Sequence, residues 1–177
     1  MLKPVCIALA LMSGTSAFSQ QPAAKPLWSL DGLVMMTGRI PTKTQDDHEN
    51  ILRVTGQKPE ELRIARIRTP AGHVFIVQGL GQQLCSSQGN CSSWVLDQNY
   101  HVLLTTNAES FRLQASEVPG QLDVVTYQHG AGNFGNLKRW QLDGHAYRSI
   151  SCASLTLVSA GPKQPMTPNI QPTPCTR

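Results

Sequence analysis

The chain has 177 residues and a formal net charge of +4, with 15 lysine and arginine residues against 11 acidic ones. This length suits one domain with a single core. The one basic cluster, Arg63, Arg66 and Arg68, alternates with Ile64 and Ile67 as the solvated face of a strand does, so we expect no nucleic-acid partner.

Residues 1–19 have the pattern of a secretory signal peptide. Lys3 precedes an apolar run that is too short to span a bilayer, and small residues stand at Ala17 and Ser19, where a signal peptidase reads the chain. Cys6 lies near the start of that run and not directly behind it, which argues against a lipoprotein anchor. We expect cleavage after Ser19, an exported (periplasmic or secreted) mature chain of net charge +3, and no later membrane span.

Four cysteines remain after removal of the leader, and four cysteines in an exported chain predict two disulfides with three possible pairings. Proximity along the chain favours Cys85 with Cys91 and Cys152 with Cys175. The second bond would tie the C-terminal tail to the last strand. The spacing of the cysteines and histidines does not match that of metal ligands, so we expect no metal and no cofactor.

Residues 20–26 are a polar leader, and residues 27–160 are predicted to form one β-rich domain. Asp31-Gly32 marks a possible entry hairpin. A short helix is predicted over residues 44–55, because Thr44 can cap it, acidic residues occupy its first turn and Gly56 can end it.

Short strands separated by turn residues dominate the rest of the domain. A first hairpin pairs residues 64–68 with 73–77, and six strands follow at 94–96, 100–105, 111–115, 122–128, 137–142 and 147–152. The fold class is therefore mostly β (β-rich α+β), an antiparallel meander of about eight strands with one short helix. Residues 161–177 contain five prolines and are predicted to be an extended tail.

A near-repeat lies inside the meander. Trp94-Val-Leu-Asp-Gln-Asn-Tyr100 returns as Trp140-Gln-Leu-Asp-Gly-His-Ala-Tyr147. Each copy predicts a hairpin in which an Asp opens the turn by accepting backbone N–H groups and a Tyr starts the returning strand. We expect the two hairpins to lie side by side in one sheet, with both tryptophans in the core.

Two resemblances arise from these motifs. Gln121-Leu-Asp-Val-Val, a glycine-rich loop and Trp140-Gln-Leu-Asp-Gly resemble one blade of FG-GAP-type β-propellers, but the calcium loop is absent and the chain is too short to close a propeller. Cys85…Gly89-Asn90-Cys91…Trp94 with Asp143-Gly144…Tyr147-Arg148…Cys152 resembles a type of exported bacterial protein of unknown function. Neither resemblance implies an activity.

Catalytic motifs are absent from the sequence. His48-Glu49 would need a second histidine where Leu52 stands, and neither a nucleophile elbow nor a phosphate loop occurs. Asp123 and His129 lie six residues apart on one predicted strand, so they cannot contact each other in a hydrolase triad. We therefore expect no enzyme, and a small hydrolase that uses His129 remains an alternative.

The glycine-rich loop from His129 to Asn136 is the best candidate for contact with a partner. Three glycines surround Phe134, and two cations follow. The predicted contact residues, for an unknown protein or carbohydrate partner, are His129, Asn133, Phe134, Lys138 and Arg139. The leading hypothesis is a non-enzymatic extracytoplasmic binding or interaction module, and the alternative is an inhibitor of a secreted or periplasmic hydrolase. The competing structural interpretation, a plain hairpin loop whose Phe134 folds back onto the sheet, is the one that we favour for this loop.

Overall fold

The computed structural model describes residues 34–35, 45–69, 72–159, 161 and 165–175. The predicted signal peptide, the leader, the entry hairpin at Asp31-Gly32 and the helix cap Thr44 lie outside the described residues.

The described chain is mostly β, as predicted. It contains one α-helix, α1 (Gln45–Thr55), one turn of 3₁₀-helix (Pro59–Glu61) and ten strands. The strands are β1 (Val34–Met35), β2 (Leu62–Thr69), β3 (Gly72–Gly79), β4 (Cys91–Leu96), β5 (Val102–Ala108), β6 (Ser110–Ala115), β7 (Leu122–His129), β8 (Phe134–Asp143), β9 (Ala146–Val158) and β10 (Thr167–Thr173).

The strands form two antiparallel sheets. The four-stranded sheet has the order β2-β3-β4-β5, and the six-stranded sheet has the order β1-β6-β7-β8-β9-β10. From β2 to β10 every strand pairs with its neighbour in sequence except at Glu109, where the chain passes from β5 to β6 and so from one sheet to the other. The predicted meander is confirmed.

The expectation that both tryptophan hairpins lie in one sheet is wrong. Trp94 is in β4 of the four-stranded sheet, and Trp140 is in β8 of the six-stranded sheet. The cause is the change of sheet at Glu109, which lies between the two hairpins. Such a corner lets one bent chain segment build two packed sheets.

The main core lies between the sheets. Ala65, Ile76, Val95 and Leu104 of the four-stranded sheet pack with residues of the six-stranded sheet, among them Phe111, Val124 and Tyr147. Trp140 packs against this cluster and Trp94 against a second one, so both tryptophans join the core as predicted, each half-buried.

Helix α1 covers the other face of the four-stranded sheet. Ile51 is fully buried there with Leu62, Phe75 and Leu96. The helix ends as predicted, because Gly56 adopts a left-handed conformation (φ 69°) and donates its N–H to the carbonyl of Leu52 at 2.8 Å. A third cluster, Val125, Leu137, Ala153 and Leu155, lies on the far face of the six-stranded sheet.

The turns of the two tryptophan hairpins differ. Asp97 accepts N–H bonds from Asn99 and His101, both at 2.8 Å, as predicted. The carboxylate of Asp143 instead contacts Arg148 Nε at 2.6 Å.

The returning tyrosines also differ. Tyr147 lies in β9, whereas Tyr100 precedes β5 in a left-handed conformation (φ 64°), so the prediction that it starts the strand is wrong. Its ring stacks on Phe75, and its hydroxyl donates a hydrogen bond to the carboxylate of Asp47 in α1. This conformation connects the hairpin to the helix.

Both predicted disulfides are present. Cys85 is bonded to Cys91 and Cys152 to Cys175. The predicted tail contains a strand, because Thr167–Thr173 pair in register with β9. The Cys152–Cys175 bond therefore links the two paired strands β9 and β10, whereas the sequence predicted that it holds an extended tail.

Loss of the Cys152–Cys175 bond should release β10. We expect the double variant Cys152→Ala/Cys175→Ala to lose about 3 kcal/mol of unfolding free energy, because the bond closes a 23-residue separation. Urea denaturation measures this loss, and amide exchange should become faster across 167–173. The control, Cys85→Ala/Cys91→Ala, should lose about 2 kcal/mol and leave exchange in β10 unchanged. Unaltered exchange of β10 in the first variant would contradict the assignment.

The three tyrosines of the chain should resist ionisation. Burial, and for Tyr100 the bond to Asp47, raise the pKa values of Tyr100 and Tyr147 to about 12, and burial also raises the pKa of Tyr127. Because these folded-state pKa values exceed the ordinary tyrosine value of 10.0, the associated stability is complete below pH 10 and is lost as the pH rises through about 12. Tyrosinate absorbance should therefore appear at higher pH in the native protein than in urea. Coincident curves would contradict this expectation.

Candidate functional site

The loop between β7 and β8, residues 130–133, has a defined closure. Gly130 donates its N–H to the carbonyl of Phe134 at 2.8 Å, and Phe134 donates back to the carbonyl of Ala131 at 3.3 Å. Gly132 takes a left-handed conformation (φ 63°) that favours glycine. Asn133 is exposed, and its carbonyl accepts the N–H of Leu157 at 2.9 Å. The loop is thus bonded both to itself and to β9.

Phe134 projects into solvent with 60% of its surface exposed. The competing interpretation, in which this ring folds back onto the sheet, is therefore wrong. The next residue, Gly135, lies on the opposite face, where the ring of Tyr127 occupies the space that a Cβ atom would need. Tyr127 therefore occupies the buried side at the start of β8, and Phe134 lies on the exposed side.

His129 anchors the loop to the four-stranded sheet. The side chain of Asn90 accepts the N–H of His129 at 2.8 Å and donates to its carbonyl at 2.6 Å, as a neighbouring strand would. The imidazole lies between Glu109 Oε2, 3.5 Å from Nδ1, and the carbonyl of Gly132, 3.0 Å from Nε2. Of the predicted contact residues, His129 therefore has a structural role.

Arg139 is not available as a contact residue, so this part of the prediction is wrong. Its side chain is 5% exposed and its Nη2 and Nε lie 2.5 and 2.6 Å from Asp123 Oδ2, while the carboxylate of Asp123 is fully buried. Strand alternation is the reason, because Arg139 points to the opposite face from Lys138. The ion pair also occupies Asp123, which removes the partner that a triad with His129 would need.

Lys138 lies on the same face as Phe134. Its Nζ is 5.1 Å from the centre of the Trp140 ring, a distance suited to a cation–π contact. The indole N–H of Trp140 donates to Thr126 Oγ1 at 2.9 Å, which fixes the ring beneath the lysine. This contact holds the amine against the protein surface.

Phe134 and Lys138 belong to a larger exposed surface, which we call the polar face. Its strands alternate between a buried apolar side, which includes Leu137, Ala153 and Leu155, and an outer side. The outer side chains come from three neighbouring strands: Phe134, Asn136 and Lys138 of β8; Ser154, Thr156 and Val158 of β9; Thr167, Asn169, Gln171 and Thr173 of β10.

The strand register aligns these side chains in rows across the sheet. Asn136 pairs with Ser154, and Ser154 pairs with Gln171. In the next row Phe134 pairs with Thr156, and Thr156 pairs with Asn169. The four-stranded sheet reaches only the border of this face, where Gln128 of β7 donates to the carbonyl of Asn107 at 2.6 Å. The face beyond β7 is open to solvent.

The described part of the chain contains neither a metal-binding cluster nor a helix that could span a membrane. No group of three or more His, Cys, Asp or Glu residues there could hold a metal ion. None of the described helices is both long and apolar enough to cross a membrane. A cleft of about 260 Å³ opens between the sheets, lined by Val74, Leu103, Leu142 and Tyr147 among others, and it includes none of the predicted contact residues.

Comparison of the chain with protein-family models, with curated proteins and with solved structures gave no match. A functional hypothesis therefore depends on the chemistry and exposure of the residues described above.

The Asp123–Arg139 ion pair should be essential for stability. Arg139→Met leaves a carboxylate buried without its cation, and we expect a loss of about 3–5 kcal/mol in unfolding free energy. The matched control is Arg148→Met, which breaks the exposed Asp143–Arg148 pair and should cost about 0–1 kcal/mol. Urea denaturation of both variants measures these losses. Equal losses would show that the buried pair contributes no more to the unfolding free energy than the exposed pair does.

Proposed function

We propose that the protein is a non-enzymatic extracytoplasmic binding module whose contact surface is the polar face. The observation that carries the proposal is the asymmetry of β8 and β9, which bury Leu137, Ala153 and Leu155 on one side. The other side, which β10 continues, presents hydroxyl and carboxamide groups with Phe134 at the border. Among these outer residues Lys138 is the one charged side chain, whereas the surfaces of soluble domains are commonly rich in charged residues.

The sheet edges favour docking on the face over the addition of a strand. Two of the seven residues of β10 are prolines, Pro168 and Pro172, which have no N–H group to donate to an incoming strand. In the four-stranded sheet, the edge strand β2 carries Arg63, Arg66 and Arg68, and charged side chains discourage edge pairing. A partner is therefore expected to bind to side chains of the polar face and not to backbone groups of an edge.

An extracytoplasmic location is the second part of the proposal. Two disulfide bonds are compatible with an oxidising compartment. The signal-peptide pattern of residues 1–19 supports export to the periplasm or the medium.

A nucleic-acid partner is disfavoured by charge. On the described polar face the one charged side chain is Lys138, and its amine already contacts Trp140. Nucleic-acid binding requires several cations that neutralise phosphates.

An inhibitor of a secreted or periplasmic hydrolase is the second candidate function. The observation that favours it is the anchoring of the 130–133 loop, which presents Phe134 on a scaffold bonded through Asn90 and His129. A pre-ordered loop loses little conformational entropy when it enters an active site. This candidate predicts that Asn133→Ala abolishes a stoichiometric complex with a hydrolase at unchanged melting temperature, whereas Asn136→Arg leaves that complex intact.

Site-specific photo-crosslinking tests the leading proposal. A photoreactive residue at Asn136 should yield an adduct with one extracytoplasmic component, because this position lies within the polar face. The adduct should be competed by the wild-type protein and not by Asn136→Arg, whose long charged side chain blocks the surface.

The control position for this experiment is Gln82, which is exposed in the connection between β3 and β4. The probe at that position should give no such adduct. Equal labelling from both positions, or competition by Asn136→Arg, would contradict a specific contact surface.

A further inference from the structure

We propose that the ligand of the polar face is a neutral polysaccharide, bound as an extended chain across β8, β9 and β10. This inference rests on the proposed function, since it names the chemical class of the partner. Its structural basis is the composition, the register, the charge and the rigidity of the polar face.

The exposed groups match the hydrogen-bonding pattern of sugars. A carboxamide has both donors and acceptors, and a hydroxyl has one donor and two acceptor lone pairs, as sugar hydroxyls do. The polar face presents three carboxamides and several hydroxyls: Asn136, Asn169 and Gln171, with Ser154, Thr156, Thr167 and Thr173. The hydroxyls of Ser154 and Thr167 donate to the carbonyls of Gln171 and Val158 and so offer acceptor lone pairs to a sugar, whereas the three carboxamides can both donate and accept.

The register spreads these groups over an area that suits a chain and not one sugar. Neighbouring strands lie about 4.8 Å apart and alternate residues about 7 Å apart along each strand. Three strands and the rows of Phe134, Asn136 and Lys138 thus cover roughly 10 by 14 Å, with paired positions extending from β8 to β10. A small-molecule ligand would need a concave pocket, whereas this surface is an open sheet.

Phe134 supplies the apolar contact that sugar binding needs. A pyranose ring has an apolar face of C–H groups, which packs on the face of an aromatic ring. The ring of Phe134 is 60% exposed and stands at the start of the row that contains Thr156 and Asn169. One sugar can stack on this ring while the following sugars contact the carboxamides.

Charge identifies the neutral class. The described polar face has no carboxylate, and its one cation is Lys138, held above Trp140. A polyanion would find one partly engaged amine, and a protein partner with charged hot spots would find no opposite charges. A hydroxyl-rich uncharged polymer requires neither free cations nor opposite charges on the polar face.

Rigidity makes weak contacts additive. The outermost strand, β10, is paired with β9 over seven positions and covalently tied through Cys175 to Cys152. Groups that are already ordered lose little entropy on binding, so individually weak hydrogen bonds can contribute to affinity. The disulfide therefore helps to define the ligand surface.

Affinity electrophoresis of the full disulfide-bonded chain tests the inference. Native gels contain dextran, hydroxyethylcellulose, mannan or xylan, and dextran sulfate serves as the anionic counterpart of dextran. We expect at least one neutral polymer to retard the protein. Phe134→Ala should weaken that binding about tenfold, and Asn136→Ala/Asn169→Ala should do so by about tenfold or more.

Two matched controls accompany these variants. Gln82→Ala removes an exposed carboxamide outside the polar face, and Val102→Ala removes an exposed apolar side chain of the four-stranded sheet. Both should migrate as the wild type does in every gel. Circular dichroism melting verifies that all variants are folded.

The results separate this inference from the proposed function. Retardation by a neutral polymer that the polar-face variants reduce and the controls do not supports both. Retardation by dextran sulfate alone, or by no polymer, overturns the glycan assignment. In that case a protein adduct from the photoreactive residue at Asn136 leaves the binding module standing, and the absence of any adduct overturns it as well.

Discussion

The whole arrangement depends on the corner at which the chain leaves one sheet and enters the other. Only Glu109 separates β5 from β6, and its N–H bonds to the carbonyl of Tyr127 at 2.9 Å. Buried Gln78 donates to the carbonyls of Ala108 and Glu109 at 2.8 and 3.3 Å, so the bent backbone keeps its hydrogen bonds. Because unpaired buried carbonyls are costly, this glutamine stabilises the bend that creates the sandwich.

The corner also determines which surface stays open. The four-stranded sheet folds back over β6, β7 and the parts of β8 and β9 around Trp140 and Tyr147, and it ends at the bond between Gln128 and Asn107. It leaves residues 134–138 of β8, residues 154–158 of β9 and β10 uncovered on that side. Most side chains beyond this border are polar, and the strand register aligns them in rows.

Period-two patterns and turn residues were sufficient to predict β2 to β9, and the acidic first turn and Gly56 were sufficient to predict the helix and its end. These features depend on neighbours in sequence. The division into two sheets was not predictable in this way. Nothing in the residues around Glu109 signals a corner, since its support comes from Gln78, 31 residues earlier. Similarly, the left-handed Tyr100 depends on Asp47 and Phe75, which are distant in sequence.

The candidate site was predictable only in part. The glycine-rich loop with one aromatic residue was recognised, but the favoured interpretation folded Phe134 back onto the sheet, whereas its ring is exposed. Arg139 was misassigned because the charge of a residue does not reveal which side of a strand it occupies. The contribution of β10 was missed because the prolines suggested a tail, although Thr167, Asn169, Gln171 and Thr173 alternate with Pro168, Ile170 and Pro172 as a strand requires.

The order of the disulfides has a consequence for biogenesis. Each bond joins cysteines that are consecutive among the four of the described chain, Cys85 with Cys91 and then Cys152 with Cys175. Pairing of these four thiols in chain order, N-terminal pair first, makes both native bonds directly. Oxidation in that order needs no thiol–disulfide exchange, since no mispaired bond has to be reopened.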